Sequence, residues 1–153
     1  MARADPVTEQ RQSLYERDFC LWVEEQARLL REGRLPQLDV VNLIDEIEDL
    51  GINRKHAVTS NLVVVLNHLL KHQFQPRRRS RGWLASIAEH RRRLRKEFQH
   101  APSLREYARE QFEECYQDAR RQAMIETGLA AKALPDVPLY SLEQTLDPDF
   151  LPD

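Results

Sequence analysis

Apolar residues recur every three or four positions along most of this chain, which is the spacing of one face of an α-helix. The longest stretch with this pattern covers residues 39 to 75. Between Leu62 and Leu70 apolar side chains cover nearly the whole helix circumference, so other elements must surround that half. The pattern predicts a central helix whose inward face is Val40, Ile44, Ile47, Gly51, Val58, Leu62, Val65 and Leu69.

Gly51 lies in the middle of this stretch and leaves two interpretations open. A single helix would be about 55 Å long at roughly 1.5 Å per residue. That is longer than a domain of this size requires, so a bend at Gly51 is expected. Alternatively, Gly51 ends one helix at its C′ position and Asn53 caps a second helix.

A shorter helix is predicted ahead of the central one. It follows Ser13, an acceptable N-cap, and ends before Gly33, because glycine readily adopts the left-handed conformation that closes a helix. A short connection leads to Asp39, which can cap the central helix, so the two helices are expected to pack antiparallel. The buried stripe of this first helix is predicted to be Tyr15, Phe19, Trp22 and Leu29.

Pro76 ends the central helix, because proline disfavours helical geometry at the preceding residue, and two more helices follow. Ser80 is expected to cap the third helix. The capping-box pattern of Ser103 and Glu106 opens the fourth helix, which Gly128 closes. The inward residues are predicted to be Trp83, Ile87, Leu94 and Phe98 on the third helix and Leu104, Ala108, Phe112, Cys115, Ala119 and Ala123 on the fourth.

Residues 129 to 153 contain four prolines but remain too apolar for a disordered tail. We expect an extended strap that docks on the rest of the protein, with one short helix opened by a capping box of Ser141 and Gln144. The predicted fold class is therefore all-α, a helical bundle of four main helices around a long central helix, with this C-terminal strap and short helix. We expect residues 1 to 153 to form a single domain whose first 12 residues are flexible.

Composition supports the helical interpretation. Charged residues make up 31% of the 153 residues and only 4 are glycine, which favours long solvated helices over strands. The sequence contains no apolar run long enough to span a membrane and no secretory signal at its start. We therefore expect a cytoplasmic protein without a membrane partner, whose two cysteines, Cys20 and Cys115, are reduced thiols on apolar helix faces.

The net charge of −2 conceals an uneven distribution, because residues 76 to 100 carry 9 basic and 2 acidic side chains. This basic segment is suited to phosphate or nucleic-acid binding without sequence specificity. Aromatic residues are scarce there, which argues against stacking on single strands. The alternative is that its arginines pair with acidic faces of the other helices. The candidate phosphate-binding residues are Arg77, Arg78, Arg79, Arg81, Arg92 and Arg95.

An acidic group near the start of the central helix is a weak candidate metal site. Asp45 and Asp49 share a helix face, and His56 lies about two turns further on. Carboxylates and an imidazole are ligands that divalent cations accept. The preferred interpretation is a solvated acidic face, which the helix dipole favours and which Arg54 and Lys55 can neutralise.

A line of polar residues interrupts the most apolar part of the central helix. Asn61 and His68 share a face with Arg54 and His72, and buried polar groups need specific hydrogen-bond partners. His68 and His72 have the spacing of two metal ligands, yet no HExxH motif or Glu-x-x-His repeat accompanies them. We prefer a hydrogen-bonded core network, and the candidate polar cluster is Glu46, Arg54, Asn61, His68 and Arg91.

Several segments together resemble one protein family. In chain order they are LYERDFCLWVEEQARLLREGRL at 14 to 35, NLIDEIEDLG at 42 to 51, HLLKHQFQP at 68 to 76, RSRGWLASI at 79 to 87, SLREYARE at 103 to 110 and YSLEQTLDPDFLP at 140 to 152. In this order they resemble the bacterial domain-of-unknown-function family twenty-nine. The resemblance implies a small all-helical domain and brings no established activity with it.

The sequence contains no glycine-rich phosphate loop, no Cys-x-x-Cys pair and no nucleophile elbow. Nothing in it favours an enzyme, and no cofactor is predicted. We expect a non-enzymatic protein-interaction module whose partner is a second copy, as a homodimer, or another protein. The alternative is a nucleic-acid or phosphate-binding protein that uses loop 77 to 81 and the third helix, and a metal-dependent enzyme is a weaker alternative.

Overall fold

The computed structural model describes residues 13 to 153 of the chain. The first 12 residues, predicted to be flexible, lie outside the described residues. Within the described range there are six α-helices and no strand, which confirms the all-α prediction. None of these helices is long and apolar enough to cross a membrane. The helices are α1 Leu14–Arg17, α2 Phe19–Arg31, α3 Val40–Phe74, α4 Arg81–His100, α5 Ser103–Thr127 and α6 Leu142–Leu146.

The long helix α3 runs through Gly51 without a break, so the alternative of two helices joined there is wrong. Among the described residues only Gly33 and Gly128 have a positive φ, and Gly51 keeps ordinary helical geometry. By its contacts the chain divides into two compact units, a first unit up to Leu50 and a second unit from Gly51. The expectation of a single domain stays a prediction.

The predicted first helix is interrupted at Asp18, so one continuous helix there is wrong. Ser13 caps only the single turn of α1, where its hydroxyl accepts from the amide of Glu16. Asp18 then has an extended backbone, with φ −155° and ψ 93°, and its carboxylate accepts from the amide of Leu21 at the start of α2. Because aspartate is a strong N-cap, it starts a new helix inside the apolar pattern.

Gly33 ends α2 as predicted, with a φ of +68°. The amide of Gly33 donates to the carbonyl of Leu30, and the amide of Arg34 donates to that of Leu29. These two bonds form a Schellman motif. Glycine favours it because the missing Cβ removes the steric cost of the left-handed region.

Three residues of α2 are buried, and two of them hold the start of α3. Trp22 and Leu29 are buried as predicted, with Gln26 between them. The Trp22 indole donates to the Asp39 carboxylate, and the side-chain oxygen of Gln26 accepts from the Asp39 amide. The Asp39 carboxylate also accepts from the amide of Asn42, which makes Asp39 the predicted cap of α3.

The second half of α3 lies at the centre of the second unit, which confirms the prediction that other elements surround it. Its apolar side chains from Val58 to Leu70 line the main core, and α4 adds Ile87 and Leu94. The α5 side of the core consists mostly of small residues, which allow close approach of helix backbones. The α5 core residues are Leu104, Ala108, Cys115, Tyr116, Ala119 and Ala123.

Helix starts in the second unit follow the prediction only in part. Ser80 caps α4 through its side-chain oxygen. The capping box predicted at Ser103 is wrong, because Ser103 is itself the first residue of α5 and Pro102 precedes it with helical φ and ψ. A serine inside the helix lacks the extended backbone that directs its hydroxyl to the amide three residues on.

The C-terminal strap packs against the helices of the second unit. Leu134, Tyr140 and Leu142 are buried in the same core as α3. Helix α6 has the predicted capping box, in which Ser141 and Gln144 each accept from the other's backbone amide. The strap therefore contributes core side chains of its own.

The two cysteines lie in different environments. Cys115 is buried in the core, and burial raises the pKa of its thiol to about 12, so it stays protonated at neutral pH. Cys20 is also a free thiol, and it is exposed on α2.

Candidate functional site

The first unit exposes large apolar side chains on α3. Val40, Ile44 and Ile47 are 54%, 50% and 64% exposed. Their spacing predicted an inward-facing stripe, so that prediction is wrong for this half of α3. Leu50 extends the exposed surface at the end of the unit. Soluble proteins seldom leave a row of large apolar side chains in water unless the row binds something.

Helix α2 adds a second exposed row. Phe19, Val23 and Leu30 are exposed and share a helix face beside the buried residues Trp22 and Leu29. The predicted burial of Phe19 is therefore wrong, although its ring stacks on that of Trp22. We call these exposed side chains of α2 and α3 the apolar surface, which consists of Phe19, Val23, Leu30, Val40, Ile44, Ile47 and Leu50.

Asp45, Glu46 and Asp49 on α3 do not form a metal site with one another. Asp45 and Asp49 are exposed, whereas Glu46 accepts from the Tyr15 hydroxyl at 2.6 Å. That bond raises the pKa of Tyr15 to about 12. His56, in the second unit, is also exposed. In residues 13 to 153 no group of three or more His, Cys, Asp or Glu could hold a metal ion.

In the second unit, Asn61 joins α3 to α4. Its amide nitrogen donates to the carbonyl of Ala57, and its side-chain oxygen lies 2.6 Å from Nδ1 of His90. Because that oxygen can only accept, Nδ1 of His90 carries the proton and donates. Burial, and then the nearby charge of Arg93, lowers the pKa of His90, so the ring is neutral at pH 7.

His68 and His72 also face backbone carbonyls. Nδ1 of His68 lies 2.8 Å from the carbonyl oxygen of Val64, and Nδ1 of His72 lies 3.1 Å from that of Pro152. Burial lowers the pKa of both imidazoles. His72 thereby ties the end of α3 to the end of the strap.

Lys71 forms a partly buried ion pair between α3 and α5. Its ammonium lies 2.5 Å from the Glu126 carboxylate and 5.1 Å from the ring centroid of Trp83. Asn67 also donates to that carboxylate, while its own side-chain oxygen is buried with no hydrogen-bond partner among the described residues. Burial disfavours the charged form of Glu126, but the donors around it outweigh burial and lower its pKa.

Arg91 holds the strap through backbone oxygens. Its Nε donates to the carbonyl of Thr145 at 2.8 Å, and its Nη2 donates to those of Phe150 at 3.0 Å and Gln144 at 3.3 Å. The residue is only 6% exposed. Burial lowers the pKa of Arg91, yet a guanidinium stays charged at neutral pH. Two of its acceptors lie in the last turn of α6, where the helix dipole favours a cation.

The predicted phosphate-binding arginines differ in their partners. Arg92 pairs with Glu89 on its own helix, and Arg79 donates to the carbonyl of His72. The remaining candidates make no ion pair within residues 13 to 153, so the alternative of pairing with acidic helix faces does not describe them. These are Arg77, Arg78, Arg81 and Arg95.

A basic groove of about 810 Å³ lies between α3 and α4. It brings together Arg54 and Asn61 of the predicted polar cluster with Arg92 of the phosphate-binding set, whereas His68 and Arg91 do not line it. Arg93, Lys96 and His100 add to its basic lining, and its carboxylate, Glu97, pairs with Arg54. Positive charge therefore exceeds negative charge along this groove.

A family model described as "Domain of unknown function DUF29" matches residues 14–151, nearly the whole chain. The chain belongs to this family. The resemblance carried by its sequence motifs is thereby confirmed. No curated protein and no solved structure is significantly similar to the chain.

Sequence patterns do not identify the Lys71–Glu126 ion pair of this DUF29 member. Asn67 falls inside the apolar run of α3 and Lys71 directly follows it, and polar residues at such positions need buried partners. The partner Glu126 lies 55 positions from Lys71 in the sequence. The need for a partner is therefore visible in the sequence, but the identity of the partner is not.

We expect the free energy of unfolding of this DUF29 member to fall as the pH drops below about 6.5. His68, His72 and His90 have pKa values in the folded chain below their ordinary 6.5. Between those values and 6.5 the unfolded chain binds more protons than the folded chain, so acid favours unfolding. Above 6.5 the contribution is fully present. Urea denaturation at pH values from about 7.5 down to about 5.5 measures the change.

Two histidine variants test the source of this pH dependence. His90→Gln keeps a donor for Asn61 and removes the titration, so it is expected to make the fall in stability shallower. His56→Gln, at an exposed position of α3, is the control and should leave the profile unchanged. A free energy of unfolding that rises between pH 7 and pH 5.5 would contradict the assignment.

Proposed function

We propose that this protein is a helical protein-interaction module that self-associates through the apolar surface of its first unit. The observation that supports the proposal is the exposure of Val40, Ile44 and Ile47 on one face of α3. These residues stand at i, i+4 and i+7, the spacing with which an amphipathic helix anchors itself in an apolar partner. Burying a side chain of this size contributes on the order of 1.5 to 3 kcal/mol.

A second copy of the chain is the partner that this surface fits best. Most soluble oligomers are homo-oligomers with two-fold symmetry, in which one patch binds the same patch of the other subunit. The α3 row is uniformly apolar, so it is complementary to itself. Asp45 and Asp49 lie exposed on the same helix, and their mutual repulsion across a dimer should weaken as salt is added. Association is therefore expected to persist or strengthen at high salt.

Light scattering on the purified protein at tens of micromolar tests this proposal. We expect a dimer for the unchanged chain and a monomer for the variant Ile44→Glu with Ile47→Glu. A charge buried in an apolar contact raises the dissociation constant by about thirtyfold or more. Both positions are exposed within the chain, so the variant should keep its helical circular-dichroism signal.

Glu48→Gln is the matched control, since Glu48 is an exposed neighbour of Ile47 on the same helix, and it should remain a dimer. A monodisperse monomer of the unchanged chain at these concentrations would rule out self-association. If the variant with both glutamate substitutions remained a dimer, the dimer contact would have to lie on another surface.

Binding of nucleic acid along α4 is the second candidate, and the basic groove supports it. Arg77, Arg78 and Arg81 come shortly before the groove-lining residues of α4 in the sequence. None of the three makes an ion pair in the described part of the chain. Fluorescence anisotropy with labelled DNA and RNA at about 50 mM salt tests it, because phosphate contacts weaken steeply with salt. No change at low salt rejects this candidate, and loss of binding in Arg77→Ala with Arg81→Ala supports it.

A further inference from the structure

A second cleft, of about 530 Å³, lies between α4, the start of α5 and the strap around α6. This volume is in the range of small-molecule sites, roughly 300 to 1,000 Å³. The cleft combines three kinds of chemistry in the second unit. It is lined by three arginines, Arg91, Arg95 and Arg105, and by two acidic residues, and its remaining lining is largely apolar.

Arg91 is the fixed cation of this cleft. Its Nε and Nη2 are held by strap carbonyls, and Nη1 has no acceptor among residues 13 to 153. Nη1 is not fully buried in the described part of the chain, and Arg91 is one of the residues that line the cleft. No carboxylate lies within ion-pair distance of Arg91 in that part of the chain. Asp147 acts on Arg91 through its charge but makes no hydrogen bond with it, so it compensates the buried cation only in part, and a bound anion would compensate it further.

Two further cations converge on the same space. Arg95 lies about one turn after Arg91 on α4, and Arg105 lies in the first turn of α5. Neither makes an ion pair within residues 13 to 153. The planar fork of each guanidinium matches the oxygens of a phosphate group bidentately. The arginine side of the cleft therefore suits a phosphate monoester.

The rest of the cleft restricts what the phosphate is attached to. Glu143 and Asp147 also line the cleft and are exposed, and Glu143 lies 3.5 Å from Nη2 of Arg109. Their carboxylates repel a bare dianion but can accept hydrogen bonds from hydroxyl groups. Phe98 and Leu146 are half-buried and offer an apolar wall, against which a flat ring can pack. A ligand that satisfies all three parts carries a phosphate, hydroxyl donors and a flat ring.

We propose that this cleft binds a nucleoside monophosphate, with its phosphate on Arg91, Arg95 and Arg105, its sugar hydroxyls toward Glu143 and Asp147, and its base against Phe98 and Leu146. The site belongs to the second unit and does not depend on the apolar surface of the first. The proposal of nucleotide binding can therefore be rejected without rejecting self-association, and the reverse also holds.

Isothermal titration of the full chain with adenosine 5′-monophosphate tests the proposal. We expect saturable binding with a Kd on the order of 10 to 100 μM, as the size of the ligand allows. Adenosine and inorganic phosphate, each of which lacks one part of the ligand, should bind at least about tenfold more weakly. Arg95→Gln and Arg105→Gln should each raise the Kd about tenfold or more, since each removes a charged donor at an exposed position.

Arg92→Gln is the control, because Arg92 lies on α4 but does not line this cleft, and it should keep the affinity of the unchanged chain. Arg91 is left intact in all variants since it also holds the strap. Absence of saturable binding at millimolar nucleotide would overturn the proposal, as would unchanged binding by the Arg95→Gln, Arg105→Gln double variant. Tighter binding of a 5′-phosphorylated oligonucleotide than of the mononucleotide would also overturn it, by assigning the cleft to a strand end.

Discussion

Replacing Arg91 with methionine is expected to lower the free energy of unfolding by about 3 kcal/mol. Methionine keeps most of the apolar stem but removes the donors that serve the carbonyls of Gln144, Thr145 and Phe150. Each buried acceptor that loses its donor costs roughly 1 to 3 kcal/mol. Solvent from the neighbouring cleft should recover part of that cost, so the sum is smaller than three full penalties.

Urea denaturation measures this loss, and hydrogen exchange locates it. Amides of residues 142 to 152 should lose protection first, because the strap detaches before the core opens. Arg92→Met is the matched control, since Arg92 is exposed and its pair with Glu89 is worth only about 0.3 to 0.5 kcal/mol. Equal effects of the two substitutions would show that Arg91 is not the residue that fixes the strap.

Exchanging Leu66 for alanine is expected to cost about 3 kcal/mol, within the range of 2 to 5 found for buried leucines. Leu66 has no exposed surface and lies in the core of the second unit. The lost side chain forfeits its transfer free energy and leaves a cavity that neighbouring helices fill only partly. Thermal and urea unfolding both report the change.

Leu50→Ala is the control for that measurement. It makes the same chemical change in the same helix, but Leu50 is 67% exposed, so the expected change is within about 0.5 kcal/mol. Dilute protein should be used, since Leu50 belongs to the surface proposed for self-association. A large loss of unfolding free energy for Leu50→Ala in the monomer, or a negligible loss for Leu66→Ala, would contradict the burial of Leu66 and the exposure of Leu50.

The two halves of α3 show what apolar periodicity can and cannot predict. Val40, Ile44 and Ile47 follow the same spacing as Val58 and the core residues after it, and both rows were expected to face inward. Only the second row is covered within the chain. Periodicity records that one helix face is apolar, whereas what covers that face depends on the other elements or on another molecule.

Local signals at helix ends were reliable where a single residue decides the geometry. Gly33, Ser80 and Ser141 act as predicted because their conformations are set by their own backbone and the next turn. Ser103 does not, since the helical conformation of Pro102 starts α5 before the serine can cap it. Asp18 was missed because it stands inside an otherwise continuous apolar pattern.

The polar residues of the second unit mark the limit of sequence reasoning about the site. It was predictable that Asn61 and His68 need hydrogen-bond partners inside an apolar helix. The pairing of Asn61 with His90, and the position of Arg91 in the lining of a cleft, depend on how α4 and the strap pack. Such contacts join distant positions, and spacing along one helix carries no information about them.

The hydrogen bonds from Arg91 to the strap limit which sequence changes the strap can accept. The three acceptors of Arg91 are main-chain oxygens, which every amino acid possesses. These hydrogen bonds therefore do not depend on which residues occupy positions 144 and 150. They do depend on the number of residues between Thr145 and Phe150, since adding or removing one would displace an acceptor from the guanidinium. Related chains should therefore conserve the number of residues between Thr145 and Phe150 more strictly than the identities of those residues.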